Sequence, residues 1–179
     1  MTDPAFVTAQ VLENRTVARD HFVLAVGLPP GWSEPAPGQF VDLGCRDPRT
    51  PGHDPLLLRP FSVYRAQGDR LELLIRIVGA GTALLARARP GDELPLLGPL
   101  GRGFQVRPGR IALVGGGVGV PPLVYLGERL RAAGGEALAM IGFQSADLAV
   151  CAHDFAALDI ACRLATEDGS LGHEGRVTA

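Results

Sequence analysis

Few folds can hold the run Gly115-Gly116-Gly117-Val118-Gly119-Val120-Pro121-Pro122 between an apolar stretch, Ile111-Ala112-Leu113-Val114, and a helix-compatible segment from Leu123 to Ala133. An unbroken apolar run suits a parallel strand buried on both faces. A strand that feeds a glycine turn and then a helix is the opening of a nucleotide-binding α/β unit. There, backbone N–H groups and the positive helix end meet an anion such as pyrophosphate, so Gly115, Gly116, Gly117, Gly119, Val120 and Pro121 are candidate cofactor-binding residues. A close-packing turn with no ligand would use the same glycines. The spacing from Gly117 to Pro122 is G-x-G-x-x-P, which departs from the G-x-G-x-x-G dinucleotide fingerprint. Nor is this a Walker loop: the 17 basic residues are all Arg. The absence of lysine also excludes a pyridoxal Schiff base and a Ser-Lys pair.

Downstream, Glu136–Phe143 and Ile160–Ala165 read as further buried strands, and the mixed segment Ala146–Leu158 has room for a short helix. Such a sheet usually has about five or six strands, so the α/β part reads as incomplete. Upstream the pattern is of short strands, Phe6–Leu12, His21–Val26, Gln39–Cys45, Leu56–Tyr64, Arg70–Val78 and Asp92–Leu97, each bounded by Pro, Gly or Asp. The charges within Leu71–Ile77 suggest a face that is wet or meets a ligand. One helix is expected over Gly81–Arg89, opened by the capping-type Thr82 and stopped by Pro90-Gly91. These spacings predict an antiparallel barrel domain, residues 1–105, followed by an α/β domain, residues 106–179.

A formal charge of −2 leaves no basic excess to hold a phosphate backbone, so nucleic acid is not an expected partner. The longest uncharged stretch, Ile111–Gly127, is broken by glycines and by Pro121-Pro122 and falls short of the ~20 apolar residues of a spanning helix, so no membrane segment is expected. Met1-Thr2-Asp3-Pro4 lacks the pattern of a secretory signal. Cys45, Cys151 and Cys162 form neither an even disulfide framework nor a C-x-x-C pair. The expectation is a reduced, cytoplasmic protein in which each thiol is a small half-buried side chain. His21, His53, His153 and His173 share no metal-ligand spacing, and no G-x-S-x-G occurs, so neither a metal site nor hydrolase chemistry is expected.

Three further segments bear on a ligand. Arg59-Pro60-Phe61-Ser62 offers a planar donor fork, an apolar ring and a small hydroxyl, although an edge strand could carry the same residues. Gly79-Ala80-Gly81-Thr82 opens the barrel's helix, where a phosphate cradle and a plain N-cap at Thr82 are both open readings. Thr166-Glu167-Asp168-Gly169-Ser170 follows a strand and suits ribose hydroxyls as well as a solvated turn.

With G-x-G-x-x-P, these segments resemble the ferredoxin-reductase superfamily, which joins a six-stranded antiparallel flavin-binding barrel to a Rossmann-like NAD-binding domain. The resemblance implies that Arg59 binds flavin phosphate, that Phe61 packs near the isoalloxazine, and that the Ser62 hydroxyl approaches flavin N5 as the catalytic group. Pro60, Arg76, Val78, Gly81 and Thr82 would complete the FAD site. Phe61 stands where tyrosine is commoner, so no phenol hydroxyl reaches the flavin. Gly98-Pro99-Leu100-Gly101-Arg102-Gly103-Phe104 and the segment Thr166–Thr178 extend the likeness over nearly the whole chain. Together they resemble the electron-transfer subunits of class 1B dihydroorotate dehydrogenases, acting in pyrimidine biosynthesis.

That narrower resemblance implies a subunit of a hetero-oligomer that passes electrons between NAD(H) and an FMN-containing dihydroorotate dehydrogenase catalytic subunit through FAD and a [2Fe-2S] cluster. It also places Asp168 and Gly169 in the nicotinamide nucleotide site. In that family the cluster cysteines lie beyond the nucleotide domain, and no such segment occurs here. No cluster ligands are therefore expected in this chain, and NAD binding is expected to be weak. A 2′-phosphate calls for Arg where the second α/β strand ends, at Gly142–Asp147. No Arg lies between Arg131 and Arg163, and Asp147 repels an anion, so NAD(H) is the expected coenzyme. Reductase subunits of sulfide dehydrogenases, hydrogenases and ferredoxin oxidoreductases share these motifs. A non-catalytic docking subunit that keeps the barrel is a further alternative.

Overall fold

The computed structural model describes residues 3–46 and 55–178; Met1, Thr2 and His53 lie outside them. The chain divides into two compact units, Met1–Gly103 and Phe104–Ala179. The first contains β1 (Ala5–Ala18), β2 (His21–Gly27), β3 (Phe40–Leu43), β4 (Arg59–Ser62), β5 (Arg65–Gln67), β6 (Arg70–Arg76), α1 (Ala80–Leu85) and β7 (Glu93–Leu100). The strands form one curled antiparallel sheet in the order β4-β3-β7-β1-β2-β6-β5. Its two ends are drawn together within two residues: the Val63 N–H donates to Gln39 O at 3.1 Å, and the Tyr64 N–H donates to Glu72 O at 2.9 Å. Strands β4 and β5 are thus one strand with a step at Val63-Tyr64, pairing towards β3 on one side and β6 on the other. Counted this way, the sheet has the six strands that the superfamily resemblance implied.

Strand β1 runs to Ala18 rather than ending at Leu12, because irregularities between Val11 and Glu13 and between Thr16 and Ala18 let it bend and continue. Its first part pairs with β7 and the remainder with β2. Strand β6 keeps Leu71 and Leu73 inside while Arg70 and Glu72 pair with each other outside, at 2.9 Å. The wet face expected along the strand is interrupted by the buried Leu74 and resumes at the exposed Arg76, while Ile75 continues the inner face. Helix α1 is shorter than expected. Its C-terminal carbonyls are taken up by β1, where Asn14 Nδ2 donates to Leu85 O at 3.0 Å and to Ala88 O at 2.9 Å. Thr82 is not the N-cap: Gly79 holds that place and Thr82 is the third helical residue.

The second unit contains β8 (Arg110–Gly116), α2 (Pro121–Ala132), β9 (Glu136–Phe143), α3 (Ala152–Ala157), β10 (Ala161–Thr166) and β11 (His173–Glu174). All four strands are parallel, in the order β11-β10-β9-β8. Helix α2 begins two residues before the expected Leu123, since Pro121 and Pro122 suit a first helical turn, where no N–H is required. The run Ile111–Val114 is not buried on both faces. Leu113 faces α2 and is buried, whereas Val114 on the opposite pleat is 47% exposed. Strand β11 was not foreseen as a strand, because two residues carry no periodicity.

Candidate functional site

In the first unit the site builds around the start of α1. The side chain of Thr82 organises that turn. Its Oγ1 accepts from Val78 N at 2.9 Å and Gly79 N at 3.2 Å and donates to Gly79 O at 3.1 Å. The first-turn N–H groups of Ala80, Gly81 and Thr82 have no acceptor one helical turn back, so they are the ones offered to a ligand. No atom lies within 4 Å of where a Cβ on Gly79 would stand, which leaves room for close approach. Gly81 is small for a different reason, as its Cβ would come to 3.1 Å from Cys45 Cβ.

Cys45, a residue with no sequence signal beyond its small size, links the site together. It lies under Gly81 and close enough to Arg59 to feel its charge. Burial nevertheless pushes the thiol up to about 11, with the guanidinium opposing that rise. Arg59 is exposed, and its Nη1 donates to the carbonyls of Leu57 and Leu58. Leu56, Leu57 and Val78 are exposed apolar side chains flanking the same segments. Ser62 is exposed at the far end of β4, paired with Phe40 and about 10 Å from Arg59 by the rise of a strand. The pleat puts Arg59 and Phe61 on one face and Pro60 and Ser62 on the other, so the tetrapeptide does not share a single face. Arg76 ends β6, exposed, opposite His21.

In the second unit the glycines divide by role. A Cβ on Gly115 would stand 2.7 Å from Leu123 Cδ1, so Gly115 serves strand-to-helix packing. Gly117 has φ +52, in the left-handed region, and nothing lies within 4 Å of a Cβ there or on Gly119. Gly116 meets only Gly142 O, at an ordinary 3.5 Å. Val120 and Pro121 are buried. Pro121 and Pro122 have no N–H, so the first two positions of α2 offer no backbone donor and any donors here belong to the turn Gly117-Val118-Gly119.

The strand ends beside this turn carry the acidic segment. Thr166, fully buried, is its hub: Oγ1 accepts from Leu171 N at 3.0 Å and donates to Leu171 O at 2.9 Å. Gly169 has φ +69, and Gly172 has φ +73 with a Cβ position only 2.2 Å from Leu164 O, so no side chain fits there. Asp168 Oδ1 accepts from Ser170 Oγ at 2.5 Å and Ser170 N at 3.0 Å, and these bonds hold its carboxyl below the usual range. Ser145 Oγ donates to Asp147 Oδ1. An arginine unforeseen at this end is Arg176, whose Nε lies 3.4 Å from Glu167 Oε1. Its partner is nine residues away along the chain, so no local pattern announces the pair.

No family model matches the chain. Among curated proteins it is 36% identical over 175 residues to the electron transfer subunit of dihydroorotate dehydrogenase B (NAD(+)) of Clostridium acetobutylicum, covering 97% of this chain and 66% of that protein. The corresponding subunit of Desulforamulus reducens is 35% identical over 94% of this chain and 64% of its own length. That of Bacillus caldolyticus is 42% identical over 79% of this chain and 56% of its own. The chain thus spans just under two thirds of the first two relatives' length. Among solved structures, one of an NADH-dependent reduced ferredoxin-NADP oxidoreductase superposes with a TM-score of 0.80 at 25% identity, covering 95% of this chain and 60% of that one. A ferredoxin NADP+ reductase from Neisseria gonorrhoeae superposes with a TM-score of 0.78 at 21% identity, over 96% of this chain and 73% of that one. The second likeness speaks for the fold.

Proposed function

We infer that this chain, which belongs to the family of dihydroorotate dehydrogenase B electron-transfer subunits, is an FAD-dependent reductase subunit moving electrons between NAD(H) and a catalytic dihydroorotate dehydrogenase partner. The partner would carry FMN and form a hetero-oligomer with it in the cytoplasm. The observation that carries the reading is that each unit has its own glycine cradle with open backbone. One is at Gly79, at the start of α1, where Cys45 beneath the next glycine feels the charge of Arg59, and the other is at Gly117–Gly119 where β8 ends. An open Cβ position at such turns fits a pyrophosphate that must approach the main chain closely.

On this reading Arg59 takes a phosphate with its planar fork, while the N–H groups of Ala80, Gly81 and Thr82 hold the same group from the other side. Leu56, Leu57, Val78 and Phe61 shield the apolar part of the cofactor from water. Ser62 presents its hydroxyl to the reactive edge. Bound FAD would supply the redox chemistry, taking hydride from nicotinamide and giving the two electrons to the partner. Gly117 and Gly119 hold the dinucleotide in the second unit, and Asp168 meets its ribose hydroxyls. The three thiols do not fit a [2Fe-2S] cluster, which takes four ligands. Cys45 is buried in the first unit, Cys151 is the N-cap of α3 and Cys162 lies on β10.

The test is the visible spectrum of the purified protein, followed by chromatography of what acid releases. Flavin bands, released FAD and bleaching by NADH are expected. A colourless protein that does not take up added FAD would refute the reading and leave a docking subunit in its place. The 25% identity to an NADH-dependent ferredoxin-NADP oxidoreductase favours one second reading, the same cofactors with another electron partner, and co-purification of the partner decides between them.

A further inference from the structure

We propose that Ser170 sets coenzyme selectivity by tying the loop after β9 to the loop after β10, so that the carboxylates of Asp147 and Asp168 are held at one strand end; the inference rests on the nucleotide reading above. Ser170 Oγ accepts from Ala146 N at 2.8 Å and donates to Asp168 Oδ1 at 2.5 Å, which makes one hydroxyl the bridge between the two loops. The main chain adds two bonds at the root of the bridge, Glu167 N to Phe143 O at 3.0 Å and Asp168 N to Gln144 O at 3.3 Å. Asp147 belongs to the bridged loop, one residue beyond Ala146, and is itself bonded by Ser145.

These loops follow neighbouring parallel strands, on the side where the glycine turn follows β8. In an α/β sheet that end is where the ribose next to the pyrophosphate lies, and a carboxylate there accepts from its hydroxyls and repels a 2′-phosphate. Among the described residues four acidic side chains, Asp147, Glu167, Asp168 and Glu174, lie at this end with one guanidinium, and Arg176 is already engaged by Glu167. A 2′-phosphate therefore finds two carboxylates in fixed positions. With the bridge cut, the β9 loop keeps its own short helical turn and the two main-chain bonds at its root but loses the side-chain tie nearest Asp147, so the two carboxylates are no longer held at one fixed separation and the repulsion weakens. Ser170 acts through the aspartates and is a positioning residue.

The experiment compares flavin reduction by NADH and NADPH in the purified protein and in two variants that cut the same bond from opposite ends. Ser170→Ala removes the acceptor and, with it, the side-chain donor to Asp168 Oδ1. Ala146→Pro removes the donor at the first position of a short helical turn, and Ser145 before it is extended, with φ −154 and ψ 165, as a residue preceding proline must be. The starting protein should prefer NADH. Ala146→Pro, which cuts only the bridge, should lower the NADH-over-NADPH ratio of kcat/KM about five- to tenfold, the worth of one hydrogen bond, mostly through KM, and Ser170→Ala should lower it at least as much. The double variant should add nothing further, and Ser170→Thr should restore the ratio. An unchanged ratio in either folded single variant, or no preference in the starting protein, overturns the inference while leaving the proposed function intact. Reduction by neither coenzyme refutes the proposed function itself, and it is seen before any variant is made.

Discussion

Replacing Thr82 with valine removes one hydroxyl and almost no volume, and so isolates the bonds that shape the start of α1. Thr82 is 9% exposed, and its Oγ1 is the acceptor for two backbone donors, Val78 N and Gly79 N. A buried donor left without an acceptor costs roughly 1–3 kcal/mol. Both donors here are only part-buried, so water recovers some of that, and the expected loss is about 2 kcal/mol in total. The chain has a single tryptophan, Trp32, in the first unit, so its fluorescence follows the unfolding of that unit alone. In urea, with a slope of about 2 kcal/mol per molar, the midpoint should fall by about 1 M. Thr82→Ser keeps the hydroxyl and should stay within about 0.5 kcal/mol of the starting protein. Flavin content has to be matched between samples, since a ligand bound to the native state raises its apparent stability. A Thr82→Val midpoint that does not move would refute the assignment of Thr82 as the organiser of this turn.

Gly172→Ala should destabilise the second unit by about 2 kcal/mol or more, because the added carbon would enter Leu164 O and the backbone is left-handed; amide exchange should show β10 and β11 losing protection, and retained protection would count against this packing. Cys45 has its folded-state pKa raised from 9.0 to about 11, so between those values the native state keeps a proton that the unfolded chain releases. Stability is therefore full below pH 9 and falls as pH rises towards 11. Followed by Trp32 fluorescence, that decline should be shallower in Cys45→Ala. An unchanged slope would show that another group titrates.

Much of the local structure was legible because it depends on neighbours along the chain. Pro90-Gly91, Pro108-Gly109 and the run Gly115–Gly119 mark boundaries by backbone sterics alone, and the structure has a turn at the first, a bend at the second and a strand end with a short helical turn at the third. Where reading failed, a contact that the local pattern does not encode had intervened. Thr82 resembles an N-cap from its neighbours, yet its hydroxyl reaches back to Val78 and moves the helix start to Gly79. Ile111–Val114 resembles a doubly buried strand, yet only the Leu113 face is covered by α2. The candidate sites show the same division. Gly117 and Arg59 announce themselves by motif, whereas Cys45, Thr166 and Ser170 matter through what they touch.

The amino-acid order by itself determined a curled antiparallel unit followed by a parallel α/β unit, with a glycine-containing turn before a helix in each, because hydrophobic period and turn residues act over a few residues. Only the tertiary structure decided that β4 and β5 form one stepped strand, that Cys45 sits beneath Gly81 near Arg59, and that Ser170 joins two loops 24 residues apart. Each of those rests on pairing between segments far apart in the chain. Such pairing is set by how the two sheets bury their apolar faces, and no local pattern records it.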